Sequence, residues 1–84
     1  MKKDSLEHVT IRINGLVQGV GFRPFVYRAA QKNNISGWVK NRSEGIFIEA
    51  SGEMMNIDNF ISDLKSKAPV AAQIENVLIL PSIQ

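Results

Sequence analysis

The spacing of apolar residues switches between two periods along the chain, and that switching restricts the fold more than anything else in the sequence. Val9, Ile11 and Ile13 alternate with Thr10, Arg12 and Asn14, the period of two that a half-buried strand requires. Phe22, Phe25, Val26, Ala29 and Ala30 then fall at i, i+3, i+4, i+7 and i+8, one apolar stripe of a helix. Pro24 sits in the first turn, where a missing N–H leaves no bond unmade, and Asn33-Asn34 reads as the stop. Ile35 to Asn41 and Ile46 to Ser51 read as two strands of a hairpin around the turn Asn41 to Gly45. After Ser51-Gly52-Glu53 the helical period returns with Met54, Ile57, Phe60, Ile61, Leu64 and Ala68, a stripe expected to face the core. Lys65 and Lys67 suit its C-terminus, and Pro69 closes it. Gln73 to Leu80 is a last strand ended by Pro81, and its near-continuous apolar run predicts cover on more than one side.

The order is βαββαβ. Two helices joined by short links to four strands predict an α+β fold, a ferredoxin-like two-layer sandwich with both helices on one face of a four-stranded antiparallel sheet. Right-handed crossovers place a strand between the first and second. The 84 residues suffice for a single domain, taken as 1–84 with its core at about 8–81. No linker, low-complexity tract or heptad array divides it.

Composition narrows the chemistry. With no cysteine and a single histidine, His8, the chain has no thiolate, no Cys-ligated metal and no multi-histidine site. No cofactor is expected. His8 precedes the first strand and is expected to be exposed. A formal net charge of +2 is too small to announce nucleic acid or an anionic membrane. No stretch approaches the ~18 uninterrupted apolar residues of a membrane span. Lys2 and Lys3 have no apolar run behind them, so the start does not read as a signal peptide, and a cytoplasmic location is expected.

Half of the six glycines fall between Gly15 and Gly21, where the first strand passes into the first helix. Glycines let successive backbone N–H groups converge into an anion-binding concavity. The helix start adds its positive dipole end, and Arg23 adds a planar fork of donors. A phosphorylated ligand and a plain tight turn both fit this pattern. The P-loop and dinucleotide motifs do not, since there is no G-x-x-x-x-G-K-[ST], and Pro24 breaks G-x-G-x-x-G.

The run Gly15-Leu16-Val17-Gln18-Gly19-Val20-Gly21-Phe22-Arg23 resembles the acylphosphatase signature G-x-V-Q-G-V-G-F-R. A second block, Gly37-Trp38-Val39-Lys40-Asn41, followed by Glu44-Gly45, resembles the family's G-W-V-x-N. The resemblance spans about residues 8 to 81 and implies the same βαββαβ sandwich. It implies that Val17, Gln18, Gly19, Val20, Gly21, Phe22 and Arg23 cradle a phosphoryl group. It further implies that Arg23 and Asn41 are catalytic, Asn41 by orienting the attacking water. The implied ligands are a small acyl phosphate or inorganic phosphate, with no metal. The run Phe22-Arg23-Pro24-Phe25-Val26-Tyr27 also resembles the N-terminal acylphosphatase-like domain of the HypF carbamoyltransferases of hydrogenase maturation. That likeness implies carbamoyl phosphate as a substrate and the further domains of a larger carbamoyltransferase as partners. A free-standing acylphosphatase and a catalytically silent phosphate-binding or docking module are the alternatives.

Other residues carry weaker signals. Glu44, Glu49 and Glu53 are carboxylates near the second block, but Glu44 belongs to a turn and Glu49 to a strand's polar face, which disfavours a general base. Trp38 and Phe47 read as packing residues or as a ligand-stacking pair. Arg12, Arg28 and Arg42 read as surface charges, with Arg42 next to Asn41 and able to tune the site. RNA-recognition domains share this sandwich but need exposed aromatics on the central strands. Here the first strand has none, and RNA binding is not expected.

Overall fold

The structure, a computed structural model, describes residues 6–17, 21–70 and 72–81. Its elements run β1 (Leu6–Leu16), α1 (Phe22–Lys32), β2 (Ser36–Arg42), β3 (Gly45–Glu53), α2 (Met54–Ser66) and β4 (Gln73–Pro81). The four strands form one antiparallel sheet in the order β2-β3-β1-β4, so β3 lies between β1 and β2 as the ferredoxin-like arrangement requires. β1 and β3 are longer than their alternating cores implied, because residues beyond the apolar positions continue the ladder from Leu6↔Glu53 to Ile13↔Ile46.

Residues opposite one another in an antiparallel pair share a face, and here that register separates core from solvent. Ile11 and Ile13 of β1 lie across from Ile48 and Ile46 of β3, and all four are buried. Phe22, Phe25, Val26 and Ala29 of α1 and Phe60 and Leu64 of α2 pack onto that same face and complete one cluster. The Phe22 and Phe25 rings meet at 5.5 Å between centroids, tilted by 60°. Each such side chain contributes about 1.5–3 kcal/mol by leaving water. Met54, at the head of the expected α2 stripe, is exposed; the buried stripe begins at Ile57, and α2 ends at Ser66, before Ala68 and Pro69. α1 stops where expected: Asn33 is its C-cap, and Asn34 follows with φ 58°.

Two expectations fail on the open side of the sheet. Among the described residues β4 is an edge strand paired with β1 alone, and Leu78, Ile79 and Leu80 are 44%, 38% and 47% exposed, so these residues do not cover its apolar run on more than one side. His8 lies inside β1, half-buried, with Nδ1 2.7 Å from the Ser51 hydroxyl. Elsewhere on the open face, rings pair with cations. The Arg12 and Arg42 guanidiniums stand 5.8 and 5.4 Å from the Phe47 ring, and the Lys40 ammonium stands 5.4 Å from that of Trp38, within cation–π range.

Candidate functional site

β1 and β2 are both antiparallel to β3 and therefore parallel to each other. The chain leaving β1, the start of α1 and the end of β2 consequently lie at one end of the sandwich. That end collects the two sequence blocks. Val17 is buried and anchors the departing chain, and Gly21 is the N-cap of α1 in the left-handed region, φ 77° and ψ 18°. Helix geometry leaves the first N–H groups of α1 without intrahelical partners; among the described residues no side chain caps them, and no acidic residue stands in the first turn. Phe22 turns into the core, and Arg23, one residue on, is exposed beside those groups. The positive end of the helix and a permanent cation thus face the same solvent. Gln18, Gly19 and Val20 lie outside the described residues.

Asn41 is the penultimate residue of β2. It lies across from Ile46, which lies across from Ile13, so its amide is on the helix-covered face at an exposed edge, on the same side of the sheet as α1. Arg42 alternates to the other side, over Phe47, and so does not stand beside Asn41 as adjacency in sequence implied. Between Gly15 and Val17 on one side and Ser43 to Gly45 on the other is a polar cleft of about 500 Å³, with Asn14 and Glu75 in its walls. A second, mostly apolar cleft of about 350 Å³ lies along the later half of α1 and the first half of β2, and it includes neither Arg23 nor Asn41.

Of the other sequence candidates, Glu44 lies at this end, in the turn that lines the polar cleft, and the rest lie apart from it. Glu49 is on the open face and accepts a hydrogen bond from the Thr10 hydroxyl. Glu53 pairs with Leu6 at the opposite end of the sheet, and His8 is about 23 Å along β1 from Gly15 at ~3.3 Å per residue. Trp38 and Phe47 belong to the open face, behind the site. Among the described residues no group of three His, Cys, Asp or Glu side chains could hold a metal ion, and no helix is long and apolar enough to cross a membrane. Asn14 is the residue that the sequence reading missed. It looks like any polar-face residue of a strand, but its Nδ2 donates to the Glu44 carbonyl, thirty residues away, and no local pattern encodes that partner.

Element order, sheet order and the glycine-led start of α1 together define an acylphosphatase-type sandwich. The chain belongs to the acylphosphatase family, whose model matches residues 9–82. It is 51% identical over 69 residues to a probable carbamoyltransferase HypF of Methanocaldococcus jannaschii, covering 82% of this chain and 9% of that protein. It is 38% identical over 73 residues to an acylphosphatase of Oceanobacillus iheyensis, covering 86% of this chain and 80% of that one. Among solved structures, full-length HypF in its phosphate- and nucleotide-bound form superposes with a TM-score of 0.92 at 40% identity, covering 96% of this chain and 11% of that one. The chain therefore spans about a tenth of the carbamoyltransferases it matches and most of a free acylphosphatase.

Proposed function

We propose that the domain hydrolyses acyl phosphates, carbamoyl phosphate among them, to carboxylate and phosphate. The observation that carries this reading is the placement of Arg23, in the first turn of α1, and Asn41, at the end of β2, at one end of the sandwich. The chain from Val17 to Arg23 cradles the phosphoryl oxygens through backbone N–H groups and the Arg23 guanidinium. The Asn41 amide holds a water for in-line attack on phosphorus. The new P–O bond forms as the bond to the acyl oxygen breaks, the carboxylate leaves with that electron pair, and the water's proton passes to a phosphoryl oxygen. An acyl phosphate brings its own good leaving group, so the site works by positioning and electrostatic stabilisation without a protein base. Phosphate monoesters, whose leaving groups need a proton, are poor substrates on this reading. The likeness to HypF supports carbamoyl phosphate as substrate and a place within a larger carbamoyltransferase of hydrogenase maturation. The match to free acylphosphatases supports turnover by the domain itself.

The test is benzoyl phosphate hydrolysis by the wild type, Arg23→Ala and Asn41→Ala. Arg23→Ala should lose phosphate affinity together with about 100-fold or more of kcat/KM. Asn41→Ala should lower kcat by a similar factor with little change in phosphate inhibition. Activity that survived both substitutions would overturn the assignment. A wild type that binds phosphate without turnover would favour a silent binding module instead.

A further inference from the structure

The two arms of the proposed site come from parts of the chain that the sheet ladder stops short of joining. The β1–β3 pairing reaches Ile13↔Ile46, and the β1–β4 register slips between Asn14 and Gly15. At this point the half-buried Asn14 side chain continues the connection. Its Nδ2 donates to the Glu44 carbonyl in the β2–β3 turn, and its Oδ1 accepts a long bond, 3.4 Å, from Arg12 Nε. Gly45, the next residue, presses onto the same spot: a Cβ there would lie 2.4 Å from the Ile13 carbonyl oxygen and 3.0 Å from Asn14 Nδ2.

The position of Asn14 matters for both blocks. It directly precedes Gly15, where the glycine-rich segment begins, and it holds a turn that starts two residues after Asn41. Among the described residues β2 is an edge strand paired only with β3, and residues 41 to 44 are all exposed. A hairpin end so placed frays readily when little beyond its own ladder restrains it. A shift of ~1 Å in a positioning group can lower a rate by about 100-fold.

We propose that Asn14 is a positioning residue for the reaction: its amide latches the Ser43–Glu44 turn to β1 and so fixes Asn41 against the phosphoryl-binding segment. This rests on the reading of Asn41 as the group that orients water. In this role Asn14 acts on turnover through Asn41 and leaves phosphate binding to Arg23 and the backbone.

Two variants separate donation from shape. Asn14→Ala removes the amide, and Asn14→Asp keeps its outline but has no donor at neutral pH and sets a carboxylate against the Glu44 carbonyl. Both should lower kcat for benzoyl phosphate by about tenfold or more while the inhibition constant for inorganic phosphate stays within about twofold. The kinetic loss should disappear in the Asn41→Ala background, because a latch has nothing left to position there. A structural role alone would produce the same loss in both backgrounds. Wild-type kcat in Asn14→Asp, or an undiminished effect on top of Asn41→Ala, would overturn the proposal. An inactive wild type, or an Asn41→Ala variant with full activity, would instead refute the underlying reading of the site. NMR then decides the latch without turnover: in both Asn14 variants the Asn41 side-chain amide resonances should move and exchange at Glu44 and Gly45 should quicken. Unchanged signals at all three residues would refute the latch whatever the activity.

Discussion

At the scale of single residues, two glycines beside the site are held for different reasons, and that difference is measurable. Gly45 has φ 135°, and an added Cβ would run into the Ile13 carbonyl oxygen at 2.4 Å, so both its conformation and its surroundings exclude a side chain. Gly21 has φ 77° with nothing among the described residues within 4 Å of an added Cβ, so conformation is the term that opposes substitution there. Gly21→Ala should therefore cost about 1 kcal/mol, the penalty of the left-handed region. Gly45→Ala should cost about 3 kcal/mol, since backbone strain is joined by a forced displacement of β1. Urea unfolding of the two variants checks this, and equal midpoint shifts would show that the close approach at Gly45 is not the deciding term. The same contrast explains what the sequence disclosed about the site. Arg23 and Asn41 stand out because each lies in a short contiguous block. Asn14 does not, because its partner is created only when β1 and the β2–β3 turn are folded together.

At the scale of elements, β4 marks where periodicity stops informing. Alternation in β1 and β3 tells which positions share a face, and Ile11, Ile13, Ile46 and Ile48 are buried as that alternation predicts. A strand apolar at consecutive positions has no such asymmetry, and whether it is central or at an edge depends on topology. Leu78 and Leu80 pair with Arg12 and Thr10, which puts them on the face opposite α1 and α2. Leu78→Lys and Leu80→Lys should each change stability by no more than ~0.5 kcal/mol. Ile11→Ala, one strand away and fully buried, should cost about 2–5 kcal/mol. Thermal or urea unfolding distinguishes these cases. A loss of core size at Leu78 or Leu80 would mean that the domain covers this face in solution. The helices were legible for the opposite reason: their stripes at Phe22, Phe25, Val26 and Ala29 and at Ile57, Phe60 and Leu64 are one-sided.

At the scale of the whole molecule, the two helices are joined at their C-terminal ends through Asp63, and this junction gives stability a definite pH dependence. Asn33 Nδ2 donates to the Ala29 carbonyl at 2.8 Å, closing α1, and to Asp63 Oδ2 on α2 at 3.0 Å. Lys67 and Lys32 stand 3.6 and 3.9 Å from the same carboxylate, with side chains about 60% exposed, so these ion pairs are weak on their own. The Asn33 hydrogen bond, helped by both lysines and opposed by partial burial, holds the Asp63 carboxyl below its ordinary value of 3.8. A carboxyl depressed by folding stabilises the native state fully at neutral pH. That contribution starts to fade as pH falls through the ordinary value and is gone once pH drops below the lowered native one. Asn33→Ala removes the largest cause, so Asp63 should titrate closer to its ordinary value by NMR, and acid destabilisation below the ordinary value of 3.8 should become shallower. Lys32→Ala and Lys67→Ala should each move the Asp63 titration less than Asn33→Ala does, and screening by salt should shrink their effects but not that of the amide. If Asp63 titrated identically in the wild type and in Asn33→Ala, the hydrogen bond across the helix pair would not be what couples the fold to pH.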